Sequence, residues 1–250
     1  MKFVEKLPEE TSNVSKGSPL VELAQLVLGG LATLLLVVWV AGFAVDALAA
    51  RVSPERERAL FGAVVGAIEI DAEDDRERLG RLLDALGPAE PRPVLGVIDS
   101  EELNAMALPG GAIVVTRGLL DQVDDAELTF VLAHELAHLE HRDNLRAIGR
   151  GLVLTIALSL VGVDAGSPLD AGELAGRVAL HRFGRRRERA ADAAAVRRLL
   201  ERGLDATASV RLLERLAERE SRGDRALSWL ATHPLGKKRI EEARHLLGQR

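Results

Sequence analysis

From Leu23 to Val45 the chain carries no charged residue, and this run restricts the possible folds more than any other feature. Leu26-Val27-Leu28 and Leu34-Leu35-Leu36-Val37-Val38-Trp39-Val40 stand within it. A helix of that length crosses a bilayer, whose hydrocarbon core is about 30 Å thick at about 1.5 Å per residue. Trp39 and Phe43 lie toward its far end, where an interface favours aromatic rings, and Asp46 and Arg51 close it. A buried core helix and a cleaved signal peptide are the competing readings. The segment ahead of the run holds Glu5, Glu9 and Glu10, and the run is too long for a signal-peptide core. The expectation is therefore an uncleaved, single-pass anchor in the cell membrane over 20–46, preceded by a polar, flexible tail over 1–19. Lys2, Lys6 and Lys16 before the span balance Arg51, Arg56 and Arg58 after it, so basic residues select no orientation.

Beyond the span the chain reads as α+β, predominantly α. Hydrophobic residues make up 47% and aromatics only 3% of the sequence, so a core must be built from Leu, Val, Ala and Ile, which suits packed helices. Ser53-Pro54-Glu55 is a helix start, with a capping hydroxyl, proline in the first turn and an acid behind it. That helix is expected to run toward Ile68, and a second from near Asp71 to Gly87-Pro88. The Pro-rich stretch Ala89–Pro93 separates this helical juxtamembrane segment (47–92) from a main domain (93–250). Val94–Ile98 and the β-branched Ala112–Thr116 read as strands, and Pro109-Gly110-Gly111 as a turn, giving a small sheet with at least one hairpin. Gly151–Val163 is a second apolar stretch, short for a span: a core helix or a membrane-dipping element. A loop at Asp164–Pro168, a long helix from about Asp170 to Arg202, and amphipathic helices near Thr207–Glu220 and Lys237–Leu247 complete the chain. Arg and Glu are interleaved and the net charge is −5, so a nucleic-acid partner is not expected. The absence of Cys excludes disulfides, thiol catalysis and Cys-bound metal.

Chemistry concentrates at His134-Glu135-Leu136-Ala137-His138, a His-Glu-x-x-His pattern. Asp124-Asp125-Ala126-Glu127 has capping-box spacing and starts its helix. Leu128, Val131, Leu132, Leu136 and Leu139 give that helix a broad buried stripe. His134 and His138, four residues apart, project from one face and can share a zinc ion, with Glu135 beside the metal as a base. A surface helix with two histidines would show the same pattern. Catalytic zinc takes a third protein ligand. His141, His181, Glu188, Asp192, His233 and His245 are the candidates. Asn144 stands where a metzincin would have its third His. Glu188 and Asp192 share a helical face amid Ala190, Ala191, Ala193, Ala194 and Ala195, and small residues permit close helix approach. Glu188 then reaches the metal, and Asp192 accepts a ring N–H from a ligand His. The same spacing equally suits a solvated Glu among Arg185, Arg186, Arg187 and Arg189.

Several motifs, in order, resemble those of the HtpX-like metallopeptidases, the gluzincin family that also holds the Oma-type proteases and the CAAX prenyl endopeptidases. Asn104-Ala105-Met106-Ala107-Leu108-Pro109-Gly110-Gly111 is similar to the family's Asn-Ala-aromatic-Ala-x-Pro-Gly-Gly, and Thr116-Arg117-Gly118-Leu119-Leu120 to the turn that follows. His134–His138 with trailing Asp143, Arg187-Glu188-Arg189-Ala190-Ala191-Asp192, and Thr232-His233-Pro234 with Arg239-Ile240 are similar to its zinc helix, third-ligand helix and C-terminal His-Pro element. The resemblance covers about Pro93 to Gly248. Met106 replaces the usual aromatic, Gly184 stands where a Ser often occurs, and one N-terminal span replaces several.

The resemblance implies a gluzincin-type domain with a small sheet beside the active-site helix. It implies one Zn²⁺ per chain on His134, His138 and Glu188, with Glu135 as catalytic base. It implies that His233 either donates to the oxyanion or caps the zinc at rest. It further implies an edge at Asn104, Ala105 and Met106, together with Ile113–Thr116, where an extended substrate adds as a strand. The expected activity is membrane-anchored zinc metalloendopeptidase, acting on unfolded or damaged membrane or envelope proteins. The alternative is a membrane-tethered chaperone-like or binding protein on the same scaffold. His181 and His245 are left as surface or packing residues.

Overall fold

The structure, a computed structural model, describes residues 18–66, 68, 72–160, 184–223, 229 and 233–248. The tail before residue 18, the Asp164–Pro168 loop, the stretch from Asp170 to Phe183 with His181, and Thr232 lie outside the described residues.

Helix α1 (Pro19–Ala49) carries the apolar run, with Pro19 at its first turn, where no backbone N–H is needed. Of the residues in its most apolar window 6% are buried. Helix α2 (Pro54–Gly66) starts where Ser53 Oγ accepts the Arg56 N–H, and α3 (Glu73–Ala85) sends Leu79 and Leu83 into the core. Helix α2 stops short of Ile68, while α3 stops where expected, capped by Leu86 ahead of Gly87 at φ +88°.

Strands β1 (Val94–Ile98), β2 (Ala105–Leu108) and β3 (Ala112–Thr116) form one sheet in the order β1-β3-β2. Strands β2 and β3 are an antiparallel hairpin, and β1 pairs parallel to β3. Gly110 and Gly111, at φ +90° and +83°, make the hairpin turn in a region that disfavours other residues. Ile113–Thr116 is thus the central strand, a correction to its expected place at an edge. Every residue of β3 is buried, because both of its edges are paired and both of its faces covered. The edge beside the site is β2 alone.

Thr116 caps the short helix α4 (Arg117–Gln122), accepting the Leu119 N–H. At Gly118 the chain passes so close to Glu101 that an added Cβ would lie 2.1 Å from its carbonyl oxygen. Gly118→Ala is expected to destabilise the chain by about 1–3 kcal/mol, an overpacking cost. A thermal melt of the full-length chain in detergent checks this, and an unchanged Tm would contradict it.

Helix α5 (Asp125–Glu140) runs through the centre of the domain. Its capping box is complete: Asp124 Oδ1 accepts the Glu127 N–H at 2.8 Å, and Glu127 Oε2 accepts the Asp124 N–H at 3.3 Å. Residues 127–138 are all buried, so the helix carries its polar side chains inside the protein. Helix α6 (Asp143–Leu160) follows after Arg142, which turns the chain at φ +58°.

Helix α7 (Arg185–Glu201) begins only after Gly184, whose ψ of 142° is extended. The expected continuous helix from Asp170 is therefore corrected: no helix runs unbroken through Gly184. On α7, Glu188, Ala191, Asp192, Ala195, Val196 and Leu199 form one buried face, with alanines where α7 packs against α5. Helices α8 (Thr207–Ser221) and α9 (Lys237–Leu247) close the core. Around α5 that core gathers Leu79, Ile113, Phe130, Leu132, Leu199 and Leu213. Each such side chain stabilises by roughly 1.5–3 kcal/mol, which offsets the cost of burying the polar groups described next.

Candidate metal centre

His134, His138, Glu188 and His233 each offer one ligand atom, and these atoms lie within 4.8 Å of one another. All four side chains are fully buried. Helix α5 supplies two of them one turn apart, α7 supplies Glu188, and the segment ahead of α9 supplies His233. His134 Nε2 lies 3.1 Å from His138 Nε2 and 3.3 Å from His233 Nδ1. Glu188 Oε2 is 3.5 Å from His134 Nε2 and 3.1 Å from His233 Nδ1, and its Oε1 is 3.5 Å from His138 Nε2.

The remaining ring nitrogens are held from outside. His138 Nδ1–H donates to Asp143 Oδ2 at 2.9 Å. Asp192 Oδ1 lies 3.0 Å from His134 Nδ1. Both carboxylates favour a proton on Nδ1, which leaves the two Nε2 lone pairs facing each other. Two lone pairs at that distance repel unless a proton or a metal cation stands between them. A tetrahedral zinc with bonds of about 2.0–2.1 Å sets its ligands about 3.3 Å apart, which is the spacing found here. Charge agrees with distance. Glu135, Asp143, Glu188 and Asp192 are all buried, and among the described residues Arg239 is the one buried arginine. The donor set fits a divalent cation.

The electrostatics also favour positive charge at this point. Burial works against a charged His134, but Asp192 and Glu188 outweigh it and raise its pKa to about 9. Burial instead dominates at His138 and lowers its pKa. Burial would raise the Glu188 carboxyl, yet the His233 and His134 rings hold it far below the usual range.

Glu135 is fully buried beside the cluster. Its Oε2 accepts the Ala107 N–H of β2 at 2.8 Å, and its Oε1 lies 3.4 Å from His233 Nε2. The β2 edge therefore faces Glu135. Of the residues expected at that edge, Asn104 and Ala105 are buried and Met106 is half-buried. Asn104 is tied back by its N–H to Thr116 Oγ1 at 3.0 Å. His141 caps the C-terminus of α5 outside the cluster, and His245 is exposed on α9.

Two residues matter here to which motif spacing assigned no role. Arg239 grips Asp192 with two bonds, Nε to Oδ2 at 2.6 Å and Nη2 to Oδ1 at 2.8 Å. Its Nη1 lies 3.0 Å from Glu188 Oε2 and donates to the His233 carbonyl at 3.2 Å. Trp229 stacks on the His233 ring at 5.0 Å, and the Arg239 guanidinium lies 5.3 Å from the Trp229 ring centre. Arg239 stands in the His-Pro element of the resemblance without a role, and Trp229 carries no local sign of one.

On the far side of the hairpin, α2 clasps the scaffold. Glu57 accepts the Gly110 N–H at 3.0 Å and pairs with Arg142 just past α5.

Peptidase family M48 matches residues 71–247. The chain is 42% identical over 76 residues to the "Protease HtpX homolog" of Acidiphilium cryptum, covering 29% of this chain and 24% of that protein. It is 45% identical over 80 residues to "Protease HtpX homolog 1" of Streptomyces coelicolor, covering 30% and 24%. It is 30% identical over 165 residues to the "Beta-barrel assembly-enhancing protease" of Escherichia coli, covering 61% and 34%. The matches thus span a quarter to a third of these relatives' lengths. A family match over most of the chain, around a buried His-Glu-x-x-His helix with converging Glu and His, places it plainly: the chain belongs to peptidase family M48, a family of metallopeptidases.

Proposed function

We propose that the chain is a membrane-anchored zinc metalloendopeptidase that hydrolyses peptide bonds in unfolded or damaged membrane or envelope proteins. The observation that carries this reading is the convergence of four ligand atoms from three segments, with Glu135 between them and the β2 edge. His134, His138 and Glu188 would hold the zinc, and His233 would offer its Nδ1 as a further ligand. Bound there, zinc would polarise both the attacking water and the scissile carbonyl.

Glu135 takes the proton of the attacking water and delivers it to the leaving amine. The His233 ring, beside Glu135, donates to the oxyanion as it forms. Asp192 and Asp143 fix the ring orientations of His134 and His138. A substrate lies as an added strand along Asn104, Ala105 and Met106, bound by its backbone, which tolerates varied sequences and demands an unfolded segment. Relatives named as proteases, one of them for assembly of β-barrels, support an envelope role.

Helix α1 supplies the anchor. It is long and apolar enough to cross a membrane, with mean hydropathy 2.4 in its most apolar window, and its large side chains are exposed. A tail over 1–19, an anchor over 20–46, a juxtamembrane segment over 47–92 and a catalytic region over 93–250 remain our division of the chain. Helix α3 packs on α5 and β1 within the same core.

Metal analysis tests the centre. The wild-type chain is expected to carry about one zinc, and Glu188→Ala to lose most of it, because a catalytic site needs three protein ligands. Equal zinc in both would overturn the ligand set. Cleavage of casein, a chain without a stable fold, but not of a compactly folded protein is expected from the wild type, and equal cleavage of both would overturn the substrate class.

A further inference from the structure

Helix α6 changes character at Arg150. From Asp143 to Arg150 it carries charge, and from Gly151 to Leu160 it carries none. In that second half Leu152, Leu154, Ile156 and Leu160 are exposed, whereas Thr155 and Ala157 are buried. Four large apolar side chains therefore face outward, the reverse of a helix in water. Helix α6 packs against α1, and the two change character at the same height. Arg150 donates to Asp46 from Nε at 3.0 Å and from Nη2 at 2.6 Å, and Asp46 is the first charge after the apolar run of α1. Beside them, an added Cβ on Gly149 would lie 2.5 Å from Val45 Cγ1. Two apolar segments thus leave the folded domain side by side. The ten residues of α6 from Gly151 to Leu160 reach about 15 Å at 1.5 Å per residue, half the thickness of a hydrocarbon core.

At the foot of this pair lies an open cleft of about 700 Å³ lined by Arg146, Arg150, Arg186 and Arg187, against Asp46 and Asp143. Asp143 accepts from His138 and lies 3.5 Å from Arg187 and 3.8 Å from Arg146, and Asp46 lies 3.6 Å from Arg187, so two carboxylates face four guanidinium groups. Arg146 Nε is buried and has no hydrogen-bond partner among the described residues. Positive charge is in surplus at the level where the apolar helices begin. Guanidinium groups pair with phosphate oxygens through two bonds at once, and the headgroup layer presents phosphates at that depth.

We infer that this cleft binds the phosphate of an anionic membrane phospholipid, whose acyl chains lie along the exposed faces of α1 and the second half of α6. The inference rests on the reading of α1 as a membrane anchor. It makes α6 a second element inside the bilayer, next to the helix that supplies His134 and His138.

The test uses the full-length chain, extracted in a maltoside detergent and offered equal amounts of dioleoyl-phosphatidylglycerol and dioleoyl-phosphatidylcholine. Native mass spectrometry counts the lipid retained. The wild type is expected to prefer the anionic lipid by about tenfold, and Arg150→Gln with Arg186→Gln to bring that preference near parity. Arg150 also pairs with Asp46, so Arg186→Gln alone serves as a milder variant and is expected to give an intermediate preference. Equal retention of both lipids by the wild type, or an unchanged preference in both variants, would overturn the site. Displacement of the lipid by a matching concentration of inorganic phosphate would overturn its assignment to a lipid. Alkaline carbonate treatment of membranes separates the two readings. Release of the chain overturns the anchor itself, whereas an embedded chain without lipid preference overturns the cleft alone.

Discussion

Glu135→Gln is expected to leave the chain folded and its metal in place while lowering peptide hydrolysis by about 10²–10⁴-fold or more, the range for loss of a positioned general base. The geometry explains the separation of effects. Glu135 Oε2 accepts the Ala107 N–H at 2.8 Å, and the amide oxygen of Gln occupies the same volume and accepts the same bond. The β2 edge therefore stays where it is, and the four ligand atoms do not include Glu135. What disappears is a group able to take a proton at that point. Initial rates on unfolded casein, measured alongside zinc content and thermal melting, check this. A variant that cleaves as fast as wild type would remove Glu135 from the chemistry, and one that loses zinc would assign it to the ligand set instead.

Arg239→Met is expected to have the largest effect on stability, about 3–5 kcal/mol, the cost of leaving buried charges without their partner. Methionine matches the length of the Arg stem, so packing on Trp229 is largely kept and the loss is electrostatic. Burial works against the Arg239 charge, but Asp192 beside it raises its pKa, and Asp192 is held low by the same contact. Without the guanidinium, Asp192 loses two hydrogen bonds and Glu188 loses the buried arginine that pairs with it. The orientation of the His134 ring, set by Asp192, then loosens, and zinc affinity is expected to fall by about 10–100-fold. Arg239→Lys restores the charge without the planar fork and is expected to recover part of the stability and less of the affinity. Thermal melting and metal titration of the full-length chain decide. A Met variant that melts with wild type would show that water or metal, not Arg239, balances these carboxylates.

How much of this could be read from residues alone follows from the range of the interactions involved. The capping box at Asp124 and Glu127, the strand at Ala112–Thr116 and the glycine turn at 110–111 are local. Each is decided by residues within a few positions, so spacing is a sufficient guide. The helical face shared by Glu188, Ala191 and Asp192 is local too. Whether that face meets a metal or water is not, which is why spacing left Glu188 evenly balanced. Helix α6 shows the opposite case. Its apolar second half reads the same whether it is buried in protein or faces lipid, and the exposure of Leu154 and Ile156 became visible only in the tertiary structure. The break at Gly184 also escaped the pattern, because glycine within a run of good helix formers is a weak signal.

By itself, the order of residues determined a helix long enough to cross a bilayer, a His-Glu-x-x-His helix with a sound start, and a β hairpin. Each of these is built from neighbours along the chain, whose geometry the backbone already supplies. The tertiary structure alone decided that Glu188 and His233 meet the two imidazoles, that β3 is central and β2 the edge facing Glu135, and that Arg239 joins Asp192, Glu188 and His233. The ligand contacts reach across as many as 99 positions of the chain. Their energies come from excluding water around opposite charges, a condition that exists only once the helices have packed.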